Sequence, residues 1–334
     1  MYHTTPFIHL GRLIGSILRE RPAVFGELVR LAQADNPWFT ADSVRLALNA
    51  VTNQMLRPEK LEQWLEAYPY PAGFTAKNVG IVMAGNIPLV GFFDLLCVCT
   101  AGHRAYVKTS SKDRALMERV VRALRHADPS LVIRPLTDDS PLDAVIATGS
   151  NNTNRYFRSR YGAIPHLLRG NRTSIAVLTG RETTEDLSGL AHDVFDYFGM
   201  GCRNVSNIFV PKGYRIERLI KPLQERSISH PNYLHAYAHH KALLRMRGTE
   251  FIDGGFFTLR ESAGFSEALP DLVYTPYETA GEVREWISHR TENLQCIVTH
   301  ALDCDRKTGF GRAQHPELWD YPDGRDVMAF LRTI

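Results

Sequence analysis

Short apolar segments alternate with helical patterns from residue 78 onwards, and this alternation is the strongest constraint on the fold. The apolar segments lie at residues 78–84, 104–108, 131–133 and 143–147. Strands separated by helices at such intervals are typical of a doubly wound parallel sheet. Sheets of this kind bind ligands beyond the carboxyl ends of their strands, so the segment after each strand is a candidate functional segment.

The N-terminal part of the chain has a different pattern. From about residue 11 to residue 68, apolar and charged side chains recur at helical spacing, which predicts helices before the sheet. With 334 residues, 44% of them hydrophobic, the chain is long enough for two lobes. We predict a helical region over 1–70, a Rossmann-like cofactor domain over 71–180, a catalytic domain over 181–310 and a C-terminal tail over 311–334.

Charge and cysteine content argue against several kinds of partner and location. The formal net charge is only +3 and no long basic run occurs, so nucleic acid is not indicated as a partner. Arg12, Arg19 and Arg21 interrupt the first apolar run, and we expect no membrane-spanning segment. Five cysteines, an odd number, without a signal-peptide pattern, predict a reducing cytoplasmic location and free thiols.

Cys202 is the candidate nucleophile. Gly199 and Gly201 precede it and a strand-like apolar run follows, so the backbone can present the thiol in a cleft and leave an N–H to face developing negative charge. A cysteine in this context is otherwise most often a small buried hydrophobic residue. The adjacent Arg203 would help to lower the thiol pKa, although an arginine there commonly points to solvent or to a structural carboxylate.

Polar turns follow three of the predicted strands. They contain Gly85-Asn86-Ile87-Pro88, Lys108-Thr109-Ser110-Ser111-Lys112 and Gly149-Ser150. Hydroxyl groups, lysines and helix-start N–H groups suit phosphate, but ordinary connections and solvated helix caps have the same composition. The glycine fingerprint G-x-G-x-x-G does not occur in this sheet.

These landmarks and their order resemble the aldehyde dehydrogenase superfamily, and within it the fatty acyl-CoA reductase family of the LuxC type. The landmarks are Asn86, Lys108, Gly149-Ser150 and Cys202, and the resemblance continues through residues 271–278, 295–299, 311–316 and 320–324. The resemblance implies an aldehyde dehydrogenase-like α/β fold, with a Rossmann-like doubly wound cofactor domain, an α/β catalytic domain and N-terminal helices. The superfamily binds its nicotinamide cofactor without the usual glycine fingerprint.

The activity implied by the resemblance is reduction of an acyl-CoA thioester to an aldehyde through an acyl-cysteine on Cys202. Asn86 would donate its amide N–H to the substrate oxygen, beside the backbone N–H of Cys202. Lys108 would bind the adenosine ribose or its phosphate. Gly149 and Ser150 would flank the diphosphate or the nicotinamide end of the cofactor.

Two further features bear on the choice of cofactor and on the direction of the reaction. Ser110, Ser111 and Lys112 would hold a 2′-phosphate, so we expect NADPH, with NADH as the alternative. Aldehyde-oxidising relatives carry a Glu-Leu-Gly-Gly motif whose glutamate activates water, and the matching residues 168–173 contain no carboxylate. Its loss favours reduction over acid production, and the alternative is that a glutamate from elsewhere in the fold substitutes for it. Glu261 is a candidate for the ribose-binding glutamate of the superfamily, against the commoner exposed structural role.

Other functions and partners remain open from the sequence. The same machinery would reduce an acyl phosphate or an acyl-carrier-protein thioester, and a degenerate member would serve as a non-catalytic scaffold. The resemblance also implies a homo-oligomer and allows a synthetase that delivers the acyl group. No motif encodes the acyl chain length.

Histidines and a cysteine pair raise the question of a metal. His230, His235, His239 and His240 lie close in sequence, but they lack the glutamate of H-E-x-x-H, so polar helix-face histidines are the favoured interpretation and no metal is predicted. Cys97 and Cys99 lie in an apolar helical segment and are predicted to pack in a core.

Overall fold

The computed structural model describes residues 2–70 and 73–334, and the chain forms two compact units. The first unit comprises the residues up to Asn171 together with Pro316–Ile334, and the second comprises Arg172–His315. The boundary predicted between residues 70 and 71 touches Pro71, which lies outside the described residues. Each unit is built on its own sheet.

Helices precede the first sheet, as predicted. They are α1 (Thr5–Glu20), α2 (Pro22–Asp35), α3 (Ala41–Ala50) and α4 (Pro58–Glu66), and a π-helical segment, Val51–Met55, follows α3. Proline stands in the first turn of α1, α2 and α4, where its missing N–H leaves no helical hydrogen bond unmade. The Thr40 hydroxyl caps α3 by accepting the Ser43 N–H at 3.2 Å.

The first sheet has five parallel strands in the order β3-β2-β1-β4-β5. The strands are β1 (Asn78–Val82), β2 (Arg104–Lys108), β3 (Ile133–Pro135), β4 (Ala144–Thr148) and β5 (His166–Arg169). Three helices connect them: α5 (Phe92–Thr100) after β1, α6 (Arg114–Ala127) after β2 and α7 (Asn151–Tyr161) after β4. The direction of strand addition reverses between β1 and β4, which creates a switch point at their carboxyl ends.

All four predicted strands are confirmed, and their bounds differ from the prediction most at the third. The third strand was expected at residues 131–133 but begins at Ile133, because Leu131 still belongs to the turn after α6 and donates its N–H to the Asp128 carbonyl at 3.2 Å. Cys97 and Cys99, on α5, lie in the core as predicted, 0% and 1% exposed. Burial raises the pKa of Cys99 to about 12.

The end of the chain belongs to the first unit. The last helix is α12 (Val327–Arg332), capped by the Asp326 side chain, which accepts the Ala329 N–H at 2.8 Å. The Tyr68 hydroxyl donates to the same carboxylate at 2.6 Å, and Lys60 pairs with Glu317. The predicted tail is therefore divided, since its residues up to His315 pack with the second unit.

The second unit holds a seven-stranded sheet in the order β12-β11-β6-β7-β10-β9-β8. Its strands are β6 (Thr173–Val177), β7 (Val205–Pro211), β8 (Ile252–Asp253), β9 (Thr258–Glu261), β10 (Asp271–Tyr277), β11 (Leu294–Val298) and β12 (Lys307–Thr308). All pairs are parallel except β8 with β9. Its helices are α8 (Thr184–Phe195), α9 (Glu217–Gln224), α10 (Pro231–Met246) and α11 (Ala280–Ser288).

The unit boundary lies earlier in the chain than the predicted boundary between residues 180 and 181. Strand β6 pairs with β7 and β11, so it belongs to the second sheet rather than the first. The assignment of cofactor binding to one domain and catalysis to the other stays a prediction. Among the described residues, none of the helices is long and apolar enough to cross a membrane.

Candidate active site

Cys202 lies in the turn Gly201–Asn204, which leads into β7. This cysteine is exposed, whereas Cys97, Cys99 and Cys296 are buried and Cys304 is half-buried. The turn is closed by the Asn204 N–H, which donates to the Gly201 carbonyl at 3.0 Å. A nucleophilic thiol must be reachable by its substrate, and among the five cysteines Cys202 meets that requirement best.

A left-handed backbone segment precedes the cysteine turn. Tyr197, Phe198 and Gly199 have φ angles of 53°, 60° and 76° in succession. Glycine adopts this conformation readily, but for Tyr197 and Phe198 it stores strain of order 1 kcal/mol each. Surrounding contacts must therefore hold the segment, and strained backbone of this kind is concentrated at functional sites.

Asn204 fastens the cysteine turn to the end of α8. Its Oδ1 accepts the Gly201 N–H at 2.8 Å. Its Nδ2 donates to the carbonyls of Asp193, Val194 and Asp196 at 3.1, 3.1 and 2.8 Å. The side chain is buried, with 4% of the residue exposed, so these bonds are shielded from water.

Ser174, on β6, holds the other side of the turn. Its hydroxyl donates to the Cys202 carbonyl at 2.9 Å and accepts the Cys296 N–H at 3.1 Å. The residue is 0% exposed. The backbone of the candidate nucleophile is therefore fixed to the sheet as well as to α8.

Sequence reasoning missed both supporting residues. Asn204 carries a recognisable signal, because asparagine commonly hydrogen-bonds the backbone of its own turn. Ser174 carries none, since it meets Cys202 only through the pairing of β6 with β7.

In the first unit, the turns after β1 and β2 lie against each other. A Cβ atom on Gly85 would stand 2.5 Å from Ser110 Oγ and 3.3 Å from Lys112 Cβ, so this position must lack a side chain. The Met83 N–H also donates to the Lys108 carbonyl at 3.0 Å. The fold thus brings the Asn86 turn beside the Lys108–Lys112 segment, and the side chains of Lys108, Ser111 and Lys112 are exposed.

A buried carboxyl group, that of Asp113, is hydrogen-bonded to the backbone just after the Asn86 turn. Asp113, 2% exposed, accepts the Leu89 N–H at 2.8 Å through Oδ2, and Leu89 has a left-handed φ of 59°. Its Oδ1 is buried without a hydrogen-bond partner among the described residues. Burial raises the pKa of Asp113 to about 8.

This carboxyl group makes stability depend on pH. The unfolded chain loses the proton near pH 3.8 and the folded chain keeps it to about pH 8, so its stabilising contribution falls as the pH rises between these values. Asp113→Asn keeps the acceptor and removes the titration. We expect the advantage of this variant in free energy of unfolding to grow by roughly 3–4 kcal/mol between about pH 5 and pH 8, measured by urea unfolding. A pH-independent difference, equal to that of the exposed control Asp303→Asn, would contradict this.

The Gly149-Ser150 turn begins α7 beside the switch point. Ser150 caps the helix: its Oγ accepts the Thr153 N–H at 3.2 Å. A Cβ on Gly149 would lie 3.0 Å from Thr153 Cγ2, which explains the small residue. This turn leads into a helix, as predicted, and cofactor contact at Gly149 and Ser150 stays a prediction.

Residues 168–173, which lack the superfamily's glutamate, contain a buried cation instead. Arg169 is 4% exposed, and its Nη1 donates to both carboxylate oxygens of Asp94 at 2.8 and 2.7 Å. Asp94 lies in the first turn of α5 and is 5% exposed. An ion pair this deeply buried ties β5 to α5.

Glu261, at the end of β9, lines an open cleft of ≈ 820 Å³ together with Arg260 and Tyr274. Arg260 is held by Asp271, which is 0% exposed and bonded through both oxygens. Burial and the neighbouring Glu261 raise the pKa of Tyr274. The ribose-binding role of Glu261 stays a prediction.

The histidines of α10 and of the residue before it, His230, have separate environments. His240 is buried, 3.3 Å from Asp271, which corrects the expectation of a polar helix face at this position. The His230 ring packs against Phe198 at a tilt of 52°, with the centroids 4.8 Å apart. Within the described ranges, no group of three or more His, Cys, Asp or Glu side chains could hold a metal ion.

Solved structures define the class of fold. An aldehyde dehydrogenase from Physcomitrella patens, in complex with the product succinate, matches with a TM-score of 0.66 and 12% identity over 98% of this chain and 84% of that one. An acetylating aldehyde dehydrogenase from Geobacillus thermoglucosidasius matches with a TM-score of 0.62 and 12% identity over 93% and 83%. An indole-3-acetaldehyde dehydrogenase complexed with NAD+ matches with a TM-score of 0.65 and 12% identity over 91% of this chain and 72% of that one. The chain has the aldehyde dehydrogenase fold.

The family follows from the sequence itself. The family model described as acyl-CoA reductase (LuxC) matches residues 44–232, which is more than half of the chain. The protein therefore belongs to the LuxC acyl-CoA reductase family, as the sequence landmarks predict, and it is an oxidoreductase that acts on aldehyde or acyl groups. No curated protein matches the sequence.

Proposed function

We propose that this protein reduces an acyl-CoA thioester to an aldehyde with NADPH, through an acyl thioester on Cys202. The observation that carries the proposal is an exposed thiol on a turn fixed by hydrogen bonds on both sides, in a member of this family. No metal is needed for this chemistry, because sulfur supplies the nucleophile.

The first half of the reaction is a thioester exchange. The Cys202 thiolate bonds to the acyl carbon, the carbon–sulfur bond to coenzyme A breaks, and coenzyme A leaves as its thiolate. One thioester replaces another, so the exchange is nearly thermoneutral and depends on a placed carbonyl. The proposed donors to the carbonyl oxygen are the Cys202 N–H and the Asn86 amide, each of a kind worth ~3 kcal/mol in the transition state.

The second half releases the aldehyde. When bound, the reduced nicotinamide supplies a hydride to the acyl carbon. Cys202 then departs as a thiolate when its bond to that carbon breaks, which frees the aldehyde and regenerates the nucleophile. Residues 168–173 contain no carboxylate where oxidising relatives carry their carboxylate base, and this supports reduction over hydrolysis.

The residues of the first unit fit a nicotinamide cofactor. Gly85 allows the turn after β1 to lie directly against Ser110, and the exposed Lys108 and Lys112 lie at and just after the carboxyl end of β2, the neighbour of β1. Lysines and hydroxyls at this edge suit phosphate groups. A structure of the same fold contains NAD+, and Ser110, Ser111 and Lys112 favour the additional 2′-phosphate of NADPH.

Replacing Lys108 and Lys112 one at a time is expected to affect KM for NADPH and KM for NADH differently. Lys108→Ala should raise KM for both NADPH and NADH about tenfold, and Lys112→Ala should raise only that for NADPH, since one charged hydrogen bond to phosphate is lost. Initial rates at varied cofactor concentration measure both effects. Arg104→Ala removes a cation at the opposite end of β2 and serves as the control. Equal KM values in all three variants would exclude this cofactor site.

The activity itself is tested with purified protein, NADPH and acyl-CoAs of short, medium and long chain. Loss of NADPH absorbance with matching formation of aldehyde and free coenzyme A is the expected result. NADPH binding without turnover of any acyl-CoA would reject the proposal.

A further inference from the structure

We propose that Ser174 and Asn204 are positioning residues, which set the backbone of Cys202 so that a bound acyl carbonyl is aligned for attack. This inference rests on the proposed function, because it takes Cys202 as the nucleophile. Neither residue carries a role in the sequence landmarks, and the structure alone connects them to the cysteine.

The Asn204 contacts act on the peptide unit before the nucleophile. The Gly201 carbonyl and the Cys202 N–H belong to one peptide group. That carbonyl accepts a hydrogen bond from the backbone N–H of Asn204 at 3.0 Å. A hydrogen bond to a peptide carbonyl polarises the N–H of the same group. The Cys202 N–H, the proposed donor to the substrate oxygen, is therefore strengthened as well as oriented. The Asn204 side chain secures Gly201 further by accepting its N–H at 2.8 Å.

The Ser174 contact acts on the peptide unit after the nucleophile. Its hydroxyl bridges the Cys202 carbonyl, at 2.9 Å, and the Cys296 N–H, at 3.1 Å. Cys296 lies in β11, a neighbour of β6 in the sheet. The two peptide groups that flank the Cys202 Cα are thus held by different elements, and rotation of either would move the sulfur.

The hydrogen bonds that Ser174 and Asn204 make to the Cys202 turn are buried. Ser174 and Asn204 are 0% and 4% exposed, so water does not readily replace their bonds. The three carbonyls held by the Asn204 amide lie at Asp193, Val194 and Asp196. The turn therefore takes its orientation from the end of α8 and from the sheet at once, while Cys202 itself remains exposed.

A positioning role predicts that two reactions of the same thiol respond differently. Acylation by an acyl-CoA needs an aligned carbonyl, whereas alkylation by iodoacetamide needs only an accessible thiolate. In Ser174→Ala we expect the single-turnover acylation rate to fall about tenfold, as for one lost hydrogen bond of ordinary strength. Alkylation of Cys202, followed by peptide mass spectrometry from about pH 6 to pH 10, should stay within about twofold of wild type.

Ser206→Ala is the matched control, because its hydroxyl is also on an adjacent strand but bonds to Thr173 and Asn207 instead. Asn204→Ser is a second test, since it removes the long amide and keeps a polar side chain. Both variants are compared below their melting temperatures, as defined by circular dichroism. Ser206→Ala should be acylated at the wild-type rate. Wild-type acylation in folded Ser174→Ala or folded Asn204→Ser, or equal losses of acylation and alkylation in them, would overturn the inference. Wild-type protein that is alkylated at Cys202 but not acylated by any acyl-CoA would instead reject the proposed function.

Discussion

Replacing Cys202 by alanine is expected to lower kcat for acyl-CoA reduction by roughly 10⁴-fold or more, because the covalent route disappears with the sulfur. The residue is exposed, so the free energy of unfolding should change by no more than about 0.5 kcal/mol. Stopped-flow measurement of NADPH oxidation gives the rate, and thermal unfolding shows that the fold is intact.

Cys304→Ala is the appropriate control for this result. Cys304 is a half-buried thiol of the same unit, and burial raises its pKa. Its removal should leave kcat unchanged. A Cys202→Ala variant with more than about a tenth of the wild-type rate would show that another group is the nucleophile.

The second large effect is on stability. Asp94→Ala is expected to lower the free energy of unfolding by about 3–5 kcal/mol, because it leaves the Arg169 guanidinium buried without its counter-ion. Both partners are at most 5% exposed, so water cannot compensate. The shift in urea midpoint, followed by circular dichroism, measures the loss.

A double substitution distinguishes the lost partner from lost packing. Asp94→Leu with Arg169→Met replaces the pair by apolar side chains of similar size, and such replacements are often neutral or stabilising by ~1–4 kcal/mol. The double variant should therefore be more stable than Asp94→Ala. If Asp94→Ala costs less than about 1 kcal/mol, the pair contributes little to the fold.

Four of the five strands of the first sheet were predictable because they are short apolar runs between helices, whereas β5 was not predicted. β1, β2 and β4 fall where the pattern places them, since apolar runs of that length bury best as central strands. β3 was shifted because Leu131 is apolar yet remains in a turn. Periodicity reports burial of a side chain but not the hydrogen bonding of its backbone.

The residues that hold the Cys202 turn show which contacts cannot be predicted from the sequence. The glycines around the cysteine indicated a sharp turn, but the left-handed Tyr197 and Phe198 could not be predicted, because only tertiary contacts hold such residues there. Ser174 lies far from Cys202 in sequence and meets it only through sheet register. Local turn chemistry is readable from a sequence, whereas contacts made by strand pairing are not.

The buried contact of Arg169 with Asp94, in the first unit, could not be predicted from the sequence either. The sequence showed that a carboxylate is missing from residues 168–173, and this favours reduction. It did not show that Arg169 would be buried against Asp94, because the two residues meet only when β5 packs against α5.

Intact-mass spectrometry of a single turnover tests the central claim most directly. The protein is mixed with one equivalent of acyl-CoA, sampled, and then given NADPH, with Cys202→Ala in parallel. We predict an acyl adduct on the wild type alone, mapped to Cys202 and discharged as aldehyde by NADPH. No adduct with short, medium or long acyl chains, or an adduct that persists in Cys202→Ala, would contradict the account.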